Sequence, residues 1–108
     1  MKLQELIVTL EGPIWSIRNF EIEGIDVIDR VEVAGDAQSA AVTVKDLPVS
    51  PDNVLNIFIS LGAPNGSRYQ VGVSGKTDED PSRTIAFNVP DLVVRRNGKL
   101  VILIEQAI

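Results

Sequence analysis

The apolar residues of this 108-residue chain come in short runs rich in Val, Ile and Leu, each closed by Gly, Pro, Asn or Asp, and helical spacing barely occurs. That pattern constrains the fold more than any other feature. β-Branched side chains lose rotamer freedom in a helix and pack well on a pleated strand, and the bounding residues are those that turns demand. Period-two alternation within the runs predicts nine strands, at 3–10, 14–23, 25–33, 40–45, 54–61, 68–74, 84–89, 92–96 and 99–105. Nine short strands without substantial helix predict an all-β fold, a single-domain antiparallel β-sandwich over residues 1–108.

A chain of this length hides roughly two thirds of its unfolded surface, enough for one core. The hydrophobic fraction is 44% but aromatics are only 5%, so that core must be aliphatic. No Cys is present, so no disulfide supports it. No repeat, linker or low-complexity tract divides the chain. Glu5 interrupts the N-terminal apolar residues, which argues against a signal peptide, and the longest apolar stretch, 100–104, is far below the roughly 20 residues of a spanning helix. A cytoplasmic setting is the default expectation, with a mature secreted segment as the other.

Three places carry local geometry. Apolar residues fall on even positions before Gly24 (Phe20, Ile22) and on odd positions after it (Ile25, Val27, Val31, Val33), so a bulge or short turn is expected there. Asp29-Arg30 then reads as a local turn or a strand end. Ser50-Pro51-Asp52-Asn53 looks like a helix start, yet the alternation of Leu55, Ile57, Ile59 and Leu61 predicts one turn at most, followed by a strand. Asn97-Gly98 suits a two-residue type I′ turn, which predicts a C-terminal hairpin pairing Val94 with Val101 and Leu92 with Leu103. Both faces of that hairpin are apolar, so a second layer or another subunit should cover it.

The chemical inventory is sparse. Without His or Cys, imidazole and thiol mechanisms and the usual zinc sites are removed. Ser50, Ser74, Lys45, Lys76, Asp46 and Asp52 are candidates for carboxylate or Ser-Lys chemistry by type, but no spacing selects among them, so no catalytic residue and no cofactor is assigned. Asp78, Glu79 and Asp80 cluster in one loop where oxygen ligands could hold Ca²⁺, although the alternating ligands and central Gly of an EF-type loop are missing. Trp15 and Tyr69 are the large aromatics with a polar handle and are weak candidates for binding. Asn65-Gly66-Ser67 is formally a glycosylation acceptor, but its place in a turn accounts for it. Six acids and one base at 21–36 hold the whole net charge of −5. That belt could steer a basic partner and disfavours nucleic acid.

Asp46-Leu47-Pro48, Phe87-Asn88-Val89-Pro90 and Asn97-Gly98-Lys99-Leu100-Val101-Ile102 stand in the order and placement of similar phrases in the α-crystallin domain of small heat-shock proteins, and together they span roughly 31–105. The chain resembles that family in part. It departs in the short spacing from Pro90 to Gly98, in Val93 or Val94 where the family has Ala, in the short loop at 75–83 and in lacking an Ile-x-Ile tail. The sandwich is therefore expected to be immunoglobulin-like or α-crystallin-like. The leading functional expectation is a non-catalytic binding or assembly module working through protein–protein contacts, including self-association. A holdase chaperone is what the resemblance implies, and a carboxylate-based hydrolase is the third class.

Overall fold

In the computed structural model, which describes residues 2–78 and 84–108, alternation resolves into inner and outer faces along nine strands. These are β1 (Lys2–Glu11), β2 (Ser16–Ile22), β3 (Ile25–Asp26), β4 (Glu32–Val33), β5 (Ser39–Pro48), β6 (Val54–Gly62), β7 (Arg68–Thr77), β8 (Thr84–Val93) and β9 (Lys99–Ala107). One sheet has the order β4-β5-β1-β7-β8 and the other β3-β2-β6-β9, with every pairing antiparallel. The fold is an all-β sandwich, as the alternation predicts. Its only helical element among the described residues is a single 3₁₀ turn at Ile28–Arg30.

The core lies between the central strands of the two sheets. Leu3, Leu6, Val8 and Leu10 of β1 and Leu55, Ile57, Ile59 and Leu61 of β6 are buried in one cluster with Phe20, Ile22, Val42, Val71 and Val73. Leu3 and Leu6 have opposite parity, as do Val44 and Leu47, yet all four point inward. The two paired strands change phase together at Gln4 and Asp46, where Asp46 adopts φ 54°. A left-handed Asp is tolerable because its short polar side chain suits that region. The Asp46-Leu47-Pro48 phrase thus has a local task at the end of β5.

Gly24 ends β2 in a turn. Glu23 at φ 51° and Gly24 at φ 74° form a two-residue connection with Ile22 opposite Ile25, which accounts for the parity change. The strand expected at 25–33 is broken by the 3₁₀ turn, which carries the chain from β3 in one sheet to β4 in the other, and Asp29 lies exposed within it. At Ser50 the chain makes one turn, closed by the Asn53 N–H to the Ser50 carbonyl (2.9 Å), and then enters β6 as expected.

The C-terminal hairpin is not formed. Asn97 (φ 57°) and Gly98 (φ 62°) do make the expected tight turn, with the Lys99 N–H on the Arg96 carbonyl at 3.2 Å. The ladder stops there. The Val94 N–H instead donates to the Ser67 carbonyl at 2.9 Å, and the Val94 carbonyl accepts from the Gly66 N–H at 2.7 Å. β8 joins the segment expected at 84–89 to the first residues of the one expected at 92–96 and ends at Val93 against β7, whereas β9 pairs with β6 in the opposite sheet. The physical reason is coverage. Splitting its strands between two sheets puts Val94, Ile102 and Ile104 into the core while the other face of β9, with Val101 and Leu103, stays exposed.

Gly12, at φ 143°, leads out of β1 where a Cβ would stand 2.5 Å from the Arg68 carbonyl oxygen and overlap the Tyr69 ring. Backbone strain and overpacking then act together, so Gly12→Ala should cost about 3 kcal/mol in urea unfolding. Gly72→Ala meets only the Asn88 side chain at 4.0 Å and serves as the control, with no loss of stability expected.

Candidate functional site

Tyr69 and Trp15 fare differently although they lie near each other along the fold. The Tyr69 ring is 3% exposed against Gly12, and its hydroxyl donates to the Pro13 carbonyl, two residues before Trp15. Trp15 itself is 70% exposed. Only one of the two rings is therefore open to a ligand. Burial raises the Tyr69 phenol above its ordinary value of 10.0.

Asp78 is exposed, its carboxylate accepting from the Lys2 backbone N–H at 3.3 Å, while its own N–H donates to the Lys2 carbonyl. Glu79 and Asp80, the other two candidates of that loop, lie outside the described residues. Among the described residues no group of three or more acids lies close enough to hold a metal ion, and no Asp or Glu is buried. Two acids of the 21–36 belt serve the backbone. Asp26 accepts from the Ile28 N–H at 3.0 Å and Asp36 from the Gln38 N–H at 3.1 Å, as Asp52 does from the Val54 N–H at 3.2 Å. These are turn-forming hydrogen bonds of the Asx kind.

The surface with the strongest departure from an ordinary solvated face is the outer side of the β3-β2-β6-β9 sheet. Phe58 of β6 stands directly opposite Leu103 of β9, and Ser60 opposite Val101. Leu103 is 67% exposed, Val101 63%, and Phe58 is half-buried between them and Glu21, its opposite residue on β2. The two ends of this apolar strip differ in charge. Arg18 and Lys99 flank one end, in a groove of about 320 Å³ that reaches Phe58 and Val101. Glu21, Glu23 and Glu105 mark the other, with Glu105 opposite Asn56. There Asn56 Nδ2 donates to Glu23 Oε2 at 3.4 Å, while Glu23 Oε1 is enclosed with no hydrogen-bond partner among the described residues. The outer side of the other sheet contrasts with this, presenting a half-buried Ile7 among Thr9, Gly72, Ser74, Ala86 and Asn88 at its centre.

Sequence reasoning named Trp15 and Tyr69 as binding candidates and placed Val101 and Leu103 in a hairpin whose second apolar face needs a cover, but it did not name Phe58 beside them. The signal was present: 100–104 is apolar at both parities, so one strand face had to be left over once the other was buried. Comparisons with protein-family models, with curated proteins and with solved structures found no match.

The phenol shift fixes the sign of an alkaline effect. Because the folded-state value is raised, the stabilising neutral form is fully present below pH 10 and is lost as pH climbs through the higher folded value. Stability measured by denaturant titration should fall above about pH 10 in the wild type. In Tyr69→Phe that contribution should vanish, with a pH-independent loss of about 1 kcal/mol from the missing hydrogen bond.

Proposed function

We propose that the chain is a non-catalytic binding or assembly module that docks protein through the outer face of the β3-β2-β6-β9 sheet. The observation that carries this reading is the exposure of Val101 and Leu103 beside Phe58. Large aliphatic side chains gain about 25 cal/mol for each Å² they remove from water, so a contiguous strip with a polar rim favours a partner. Charged ends of opposite sign add orientation to that contact. A holdase is the second reading, supported by the long edge of β9, which has no outer neighbour among the described residues and which an unfolded client could extend as an added strand.

Leu103→Lys tests the first reading. An apolar-surface dye should bind the wild type and bind the variant several-fold more weakly, with melting temperatures within a few degrees because the side chain is 67% exposed. Equal dye binding by both would defeat it. For the holdase, the wild type should suppress aggregation of a heat-labile client at equimolar or lower ratios, and no suppression there removes that reading.

A further inference from the structure

The face ends at β9, and the edges of the two sheets are not alike. β3 and β4 are two residues long. β8 carries Pro90, which has no N–H to offer, Asp91 at φ 60°, and a register shift against β7 between Tyr69 and Val71. Short strands, proline and bulges are the devices that blunt an edge against another chain. β9 runs for nine residues with none of them and has no second neighbour among the described residues.

The direction of its free backbone groups can be read from the ladder. In an antiparallel pair, each residue's N–H and C=O point to the same neighbour. The Ile108 N–H reaches Asn53 and the Gly98 carbonyl accepts from Ala63, so even-numbered residues of β9 face β6. Lys99, Val101, Leu103, Glu105 and Ala107 therefore direct their backbone groups outward. Any strand added here must pair along these five.

A second copy of the same strand, lying antiparallel, meets that requirement in one register with matched side chains. With the two-fold axis at Ile102, Val101 stands opposite Leu103 of the copy and Lys99 opposite Glu105, each pair occurring twice by symmetry. Shifting the axis to Leu103 sets Val101 against Glu105, and shifting it to Val101 sets Lys99 against Leu103. A one-residue slip would set inner faces against outer ones. Resting on the reading of this face as a protein-docking surface, we infer that a second copy of this chain pairs β9 to β9 about Ile102 into one continuous sheet, which sets the two apolar strips side by side as one larger face. Each Val101–Leu103 pair exchanges two backbone hydrogen bonds. Leu103 and Phe58 of one copy continue into Val101 of the other, and the basic end of each face lies against the acidic end of its mate.

Light scattering should give a particle of twice 11.7 kDa. Lys99→Glu alone, or Glu105→Lys alone, places like charges opposite each other at two positions and should raise the dimer Kd about tenfold. The double variant reverses both partners and should restore the dimer. Because the chain contains no Cys, single-cysteine variants report register cleanly: mixed Val101→Cys and Leu103→Cys proteins should cross-link faster than either alone. A dimer that the double variant fails to restore, or that cross-links fastest through Val101→Cys alone, overturns this register. If Leu103→Lys dissolves such a dimer, the docking face stands. A monomer whose dye binding still falls in Leu103→Lys overturns self-pairing and leaves the face to a different protein. A monomer with no such response overturns both.

Discussion

The inner faces of β1 and β6 carry this structure. Each is the inner member of its sheet around which other strands are laid, β5 and β7 flanking one, β2 and β9 the other, and each contributes four aliphatic side chains to a single cluster. With Phe20 as the largest fully buried side chain, the space between the sheets is filled by branched aliphatics rather than by aromatic plates. Such a core depends on strict alternation, because a slip of one residue turns a whole strand's apolar set outward. The joint change of phase at Gln4 and Asp46 shows the constraint at work: neighbouring strands shift together, so both keep their inward faces.

Much of this was legible in the sequence because it is local. Alternation fixed the strands at 3–10, 54–61 and 68–74 to within a few residues, and the parity change at Gly24 located a turn. What could not be read is which strand lies beside which. Asn97-Gly98 specifies dihedral angles, and those angles are present, but they do not decide whether the flanking residues stay together beyond the turn. Val94 finds Gly66 and Ser67 instead, a choice made by burial across the whole sandwich. Pro90 misled in the same way, reading as a strand end where it sits within a strand that is at the edge of its sheet among the described residues, so no outer neighbour there calls for the N–H it lacks.

The site was legible in part for the same reason. Trp15 and Tyr69 are alike as isolated residues, and their separation into an open ring and a packed one depends on Gly12 and Pro13, brought against Tyr69 by the fold. The acidic segment looked like one belt but is divided between the sheets, with the Asp26 and Asp36 carboxylates committed to turns. The apolar strip of β9 was visible as an excess of hydrophobic residues, though not as a surface until its partner strand was known.

The separation of β9 from β8 also sets an order of events. β6 lies early enough in the chain to complete its pairing with β2, but its other side is filled only by 99–107, after every remaining strand has been made. Non-local closure of this kind is slow, and a half-finished sheet is prone to capture by its own kind. The sheet that holds β6 is thus completed by a strand some forty residues further along the chain, across β7 and β8 of the other sheet.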